Sequence, residues 1–209
     1  MFHFYKQYRI TELQEKLSEL NREHSLAIND LNALTKGYLV EIANDLEFGN
    51  EDRLTLYVHE KNLRNFDPIG RFSKNPVFNT YNRQTYPDNE GFIGVAWANG
   101  SLYMAALPEY TGTVTSRKSY LAAAGIGKVS VATFDVIRMK SRLYYGYRIS
   151  NTAATVQLAV LMIESMNPNR WTKTELDLYF EKENNKLCNI LERMHSRIPE
   201  FSDARERGY

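Results

Sequence analysis

Nine residues, Ile10, Leu13, Leu17, Leu20, His24, Ala27, Leu31, Leu34 and Tyr38, follow one another at alternating intervals of three and four. An apolar stripe with a period of 3.5 stays aligned with a partner helix over many turns. Glu12, Gln14, Glu15, Lys16, Glu19, Arg22 and Glu23 lie between the seam positions, so the flanks are charged and the seam is not. A helix over residues 10–46 runs roughly 55 Å at 1.5 Å per residue, more than one small domain can cover. The expected partner is a second copy of the chain, with Ile10, Leu13, Leu17, Leu20, His24, Ala27, Leu31 and Leu34 as the dimerisation residues. His24 inside the seam is either a pH-sensitive register switch or a polar residue that restricts oligomer choice; the second is the simpler reading.

Ahead of the seam, "MFHFYKQYR" interleaves Phe2, Phe4, Tyr5 and Tyr8 with Lys6 and Arg9. That mixture suits a membrane–water interface. Residues 1–9 therefore read either as a juxtamembrane stub, with its anchor in a membrane segment outside this sequence, or as an ordinary helix start. No run reaches the ~18 consecutive apolar residues of a membrane span. The single cysteine, Cys188, leaves no intrachain disulfide or thiolate zinc cluster and fits a reducing compartment. The expected location is the cytoplasm, with or without a tether to the inner face of a membrane. A formal net charge of +1 makes nucleic acid an unlikely partner.

Past "FGNED" the apolar period changes to two. "RLTLYVHE" sets Leu54, Leu56 and Val58 on one face of a strand and Thr55, Tyr57 and His59 on the other. "NFDPIGRFSKNP" predicts a loop, a short strand around 69–73 and a turn. In "YPDNEGFIGVAWANG", Pro87 and Asp88 start a short helix and Gly100 ends it. "SLYMAALPE" is a strand stopped by Pro108, and helices follow in "TSRKSYLAAAG" and "SVATFDVIRMK". "SRLYYGYRI" and "TVQLAVLMIES" form an antiparallel hairpin across "SNTAA". A last helix runs from Thr172 to about Ile198, opened by a Thr172–Glu175 capping box.

The segment "TVQLAVLMIESMNPNRWTKTELDLYFEKENNKLCNIL" resembles the close of a GAF domain, in which a final core strand ends in a small polar motif and turns into the C-terminal helix. "RMKSRLYYGYRI" resembles that family's passage into the last hairpin, and Gly91, Gly94 and Gly100 its glycine-marked helix and turn. The resemblance spans residues 35–198. It implies an α+β fold: a central antiparallel sheet of about five to six strands with N- and C-terminal helices on one face, preceded by the long coiled-coil helix. The domain limits are then 1–9 for the stub, 10–46 for the dimerisation helix, 47–198 for the GAF-like domain and 199–209 for a polar tail. Glu164 and Ser165 stand at the sheet rim, where Glu164 need not be buried. A ligand in such a domain sits on the other face, under the irregular segment 108–140.

Catalytic signatures are sparse. His3, His24, His59 and His195 show no metal-ligand spacing, and "AAAGIGK" lacks the spacer and Ser/Thr of a P-loop. Members of the resembled family that reduce free methionine sulfoxide use several cysteines, and cyclic-nucleotide binders carry a signature whose full form is absent here. The chain is accordingly expected not to be an enzyme. Between Arg117 and Arg148 lie seven basic residues, Arg117, Lys118, Lys128, Arg138, Lys140, Arg142 and Arg148, against one acid, Asp135. Guanidinium forks suit an anion, so Arg138 and Arg142 are the candidate contacts for a small anionic molecule. Trp97, Tyr103, Tyr120 and Phe134, from a set that also holds Tyr86 and Phe92, are the candidate pocket aromatics. No pattern decides among a nucleotide, an amino acid, a tetrapyrrole and no ligand, so the cofactor is unassigned. The function read from the sequence is a sensory module that signals to an output protein. The alternative is a structural dimerisation module without a ligand.

Overall fold

The computed structural model describes residues 2–81, 83–125 and 129–197. Its elements are α1 (Phe2–Asp45), β1 (Asp52–Glu60), β2 (Asn65–Phe72), a 3-10 turn (Pro76–Asn79), β3 (Tyr86–Pro87), α2 (Gly91–Asn99), β4 (Ser101–Met104), α3 (Val114–Ala123), α4 (Val131–Val136), β5 (Leu143–Ser150), β6 (Gln157–Ser165) and α5 (Lys173–Arg197). The strands form one six-stranded sheet in the order β3-β2-β1-β6-β5-β4. Every neighbouring pair is antiparallel.

The alternation in β1 sorts the two faces. Leu54 and Leu56 join Leu143, Tyr145, Leu161 and Ile163 under the C-terminal part of α1 and the inner side of α5. Tyr57, Tyr144, Val160 and Met162 point the other way, toward α2, α3 and α4. β6 lies between β1 and β5 with both faces covered, which is why Leu158–Ile163 reads as an unbroken apolar run rather than an alternating one.

α1 is a single helix from Phe2 to Asp45, so residues 2–9 belong to the same element as the seam. Its C-terminal turns bury Tyr38, Leu39, Ile42 and Ala43. They tie to α5 where Tyr38 Oη donates to Glu183 Oε2 at 2.6 Å and Tyr179 Oη to Asp45 Oδ2 at 2.8 Å. Further up, Leu13, Leu17, Leu20 and Leu34 are 61%, 58%, 62% and 50% exposed in the single chain. The side chains of Ile10, His24, Ala27 and Leu31 lie outside the described residues, as do Ile198 and the tail 199–209.

Two element boundaries and the placement of Glu164 differ from the sequence reading. β2 covers Asn65–Phe72 rather than 69–73, and tolerates Pro68 opposite Tyr57, where the β1–β2 register slips. α2 begins at Gly91 because Tyr86 and Pro87 pair with Phe66 and Asn65 as a short edge strand. Glu164 is 6% exposed, a correction to its expected place at an open rim. The pairing of β6 with β1 and β5 runs to Ser165, so the strand's last residues stay inside the sheet.

The capping box is formed as expected. Thr172 N donates to Glu175 Oε2 at 2.7 Å, and Glu175 N to Thr172 Oγ1 at 3.3 Å. The Thr172 N–H and the Thr172 hydroxyl, which donates to Glu175 Oε2 at 2.8 Å, hold the exposed Glu175 carboxyl below its ordinary pKa. Thr172→Ala should cost about 1 kcal/mol in equilibrium urea unfolding, and a loss below a few tenths would mean that the box does not anchor α5.

Candidate functional site

The sheet face away from α1 and α5 is laid out in cross-strand rows. Arg71, Thr55, Met162, Gly146 and Leu102 follow one another across β2, β1, β6, β5 and β4. The next row runs Arg53, Glu164, Tyr144 and Met104. α2 lies directly on the β4–β5 side, where Gly146 has no side chain for a reason: a Cβ there would stand 2.5 Å from Ala96 Cβ and 2.9 Å from Met162 Sδ. Over β1 and β2 no long helix among the described residues covers the face. α3, α4 and the chain around 83–93 bridge it instead and leave a cavity of about 130 Å³.

Its floor is polar. Arg53 Nε and Nη2 reach Glu164 Oε2 and Oε1 at 2.7 and 2.6 Å, a two-pronged pair between directly opposed residues of β1 and β6. Burial opposes the Arg53 charge, but the Glu164 carboxylate more than offsets it and the guanidinium pKa is raised. Beside the pair, Arg71 donates from Nε to Thr55 Oγ1 (2.9 Å), from Nη1 to Thr80 O (2.6 Å) and from Nη2 to Tyr57 Oη (3.4 Å). Tyr120 Oη donates to Ser141 O at 2.6 Å and lies 3.1 Å from Tyr144 Oη. Burial, with Glu164 nearby, pushes the Tyr144 phenol up to about 12, and burial also raises Tyr57 and Tyr120. All three stay protonated at neutral pH and act as neutral hydrogen-bonding groups.

The wall and roof are mostly apolar, with Phe92, Ile93, Val129, Val136 and Ile137 lining the space above Met162 of the floor. One polar cluster closes its side. Arg83 Nη2 donates to Thr133 Oγ1 at 2.8 Å, Thr133 Oγ1 donates to Glu90 Oε1 at 2.8 Å, and Arg83 Nη1 stands 3.5 Å from Glu90 Oε2. This cluster joins α4 to the residue that opens α2. A concave apolar space with a few converging polar groups is what small-molecule sites require.

The sequence candidates divide over this geometry. Tyr120 lines the cavity, as do Tyr86 and Phe92 from the wider aromatic set. Phe134 is fully buried just outside it, with its ring 5.0 and 5.1 Å from those of Tyr110 and Tyr120. Trp97 stacks on His59 at 4.2 Å, away from the lining. Tyr103 faces the helical layer and donates to Trp171 O at 2.9 Å. Arg138 is exposed and bonds Thr80 Oγ1, while Arg142 Nε donates to Leu107 O at 3.0 Å.

Three others of the basic stretch bond within the chain itself. Arg117 pairs with Asp135, Lys140 closes the end of α4 at the Phe134 and Ile137 carbonyls, and Arg148 reaches Trp97 O at 2.6 Å. Lys128 lies outside the described residues. The charged groups at the cavity are Arg53, Arg71, Arg83, Glu90 and Glu164, none of which a search for local charge runs selects. For Arg53 and Glu164 the signal is alternation: Arg53 is in phase with Thr55 and Tyr57 on β1, and Glu164 with Val160 and Met162 on β6.

Among the described residues no group of three or more His, Cys, Asp and Glu could hold a metal ion. Among them, too, no helix is long and apolar enough to cross a membrane. Cys188 is buried in the helical layer, with Sγ 3.5 Å from Thr152 Oγ1.

No family model and no curated protein matches the sequence. Solved structures do match its shape. The GAF domain of an Acinetobacter phosphoenolpyruvate-protein phosphotransferase aligns with a TM-score of 0.54 at 10% identity, over 84% of this chain and 92% of that one. The GAF domain region of a putative membrane protein from Geobacter sulfurreducens aligns at 0.51 and 12% identity, over 78% and 93%. Free methionine-R-sulfoxide reductase from Neisseria meningitidis, solved with its substrate, aligns at 0.53 and 12% identity, over 80% and 81%. The last match corrects the expectation that the chain is not an enzyme: this shape is also that of a reductase, so the fold does not set the chain apart from catalysts.

Proposed function

We propose that this chain, which has the GAF-like fold, is a sensory and regulatory module whose ligand occupies the cavity over Arg53, Arg71 and Glu164 and whose output is a dimer of α1. The observation that carries this reading is the make-up of the cavity, a buried ion pair and a second buried guanidinium facing an apolar wall. A coupling route follows from β2. Arg71 looks into the cavity, while its neighbour Gly70 lies against α1 so closely that a Cβ there would stand 2.7 Å from Leu39 Cδ1. A shift of β2 on ligand binding is therefore felt by α1. Binding can bias two arrangements of the helix only through different affinity for each.

The solved neighbours from Acinetobacter and Geobacter are GAF domains of larger proteins, which supports an output in an attached or separate partner. The second copy of the chain supplies the partner for α1, because its own seam repeats at the same period and its leucines are equally exposed.

The test is a fragment screen on protein carrying ¹³C-methyl methionine. Met162 lines the cavity and Met139 is buried elsewhere, so binders should move the Met162 methyl signal and leave Met139 in place. Binders that move neither, or a screen without any saturable binder, would leave a helix-pairing module in place of a sensor.

A further inference from the structure

Resting on the reading of the cavity as a ligand site, we infer that its ligand is a small monoanion with a carboxylate held by Arg71 and an apolar body against the opposite wall. Five charged side chains face the cavity. Arg53 is matched by Glu164 through two hydrogen bonds, and Arg83 by Glu90 at 3.5 Å. Arg71 is left over. It is 8% exposed, and among the described residues no carboxylate stands within ion-pair distance of it. Its partners are a hydroxyl, a backbone carbonyl and a phenol, and the Tyr81 ring lies 4.5 Å from its central carbon.

A buried cation among neutral oxygens is incompletely compensated, because dipoles recover only part of the solvation that a charge loses on leaving water. An incoming anion completes it. The guanidinium has five N–H donors, and the three bonds use one each on Nε, Nη1 and Nη2. One donor remains on each terminal nitrogen for the oxygens of a carboxylate. One uncompensated cation also argues against a phosphate monoester, which carries about −1.5 to −2 at neutral pH. Phe92, Ile93 and Val136 on that wall supply the surface for an aliphatic chain or a single ring, with Met162 of the floor beside them.

The experiment titrates acetate, butanoate and phenylacetate against acetamide, butanamide and phenylacetamide, with chloride holding the ionic strength constant. Binding is read at the Met162 methyl and the Arg71 Nε–H resonance. The expected result is saturable binding of phenylacetate, on the order of ten-fold tighter than its amide, with that preference lost in Arg71→Gln and kept in Arg138→Gln. Should Arg71→Gln not fold, Arg71→Lys retains the charge without the fork and should lower the preference several-fold. Acid and amide binding alike, a preference that survives replacement of Arg71, or tighter binding of inorganic phosphate would overturn the carboxylate assignment and leave the cavity reading intact. If no acid or amide moves Met162, the cavity reading falls and this inference with it.

Discussion

Glu164→Ala should destabilise the protein by about 3–5 kcal/mol, because it strands the Arg53 guanidinium in a buried site. The pair's side chains are only 7% and 8% exposed, so solvent screens little of the loss. Arg53→Ala should cost a similar amount by stranding the carboxylate. Replacing both, as Arg53→Met with Glu164→Leu, should return most of the stability, since an apolar pair of comparable volume avoids the desolvation of two charges. Equilibrium urea unfolding of the three variants measures these costs, and the double variant is expected to lie closer to wild type than either single one. A cost below about 1 kcal/mol for either single variant would mean that the pair is solvated and the cavity floor is not the buried polar surface described. The double variant also separates two roles, since it can keep the fold while changing what the cavity binds.

Lysine at Leu13, Leu17 and Leu20 together should convert a dimer into monomers at micromolar concentration. These leucines are 61%, 58% and 62% exposed in the single chain and lie on the stretch of α1 before the turns that bury against the sheet. Burying each in a two-helix seam contributes roughly 1.5–3 kcal/mol, whereas six lysines facing one another across it would repel. Sedimentation velocity distinguishes the states. The triple variant should keep a cooperative urea transition of the GAF-like domain, because none of the three side chains belongs to the sheet's core. A dimer that survives all three changes would place the contact on another surface.

The periods carried most of the fold. The alternation in β1, the unbroken apolar run of β6 and the Thr172–Glu175 box each mark an element within a short stretch of sequence, whereas the 3.5 period of α1 speaks of a partner helix. The boundaries of β2 and α2 were hidden because they depend on pairing between Asn65–Phe66 and Tyr86–Pro87, about twenty residues apart. The site was less legible still. A run of basic residues at 117–148 drew attention to Arg138 and Arg142, yet a charge run says nothing of which way each side chain points. Arg53, Arg71 and Glu164 are scattered over 111 positions and meet only because β2, β1 and β6 are neighbours. Alternation within β1 and β6 marks Arg53 and Glu164 as sharing faces with Tyr57 and Met162, but only the strand order puts those faces side by side.

The most direct test of a ligand-responsive dimer is native mass spectrometry of gently purified protein, compared with the mass of the denatured chain. A sensor of the kind proposed gives a dimer with one small molecule per chain that is released on denaturation. A monomer, or a dimer whose mass is that of two bare chains, would contradict it.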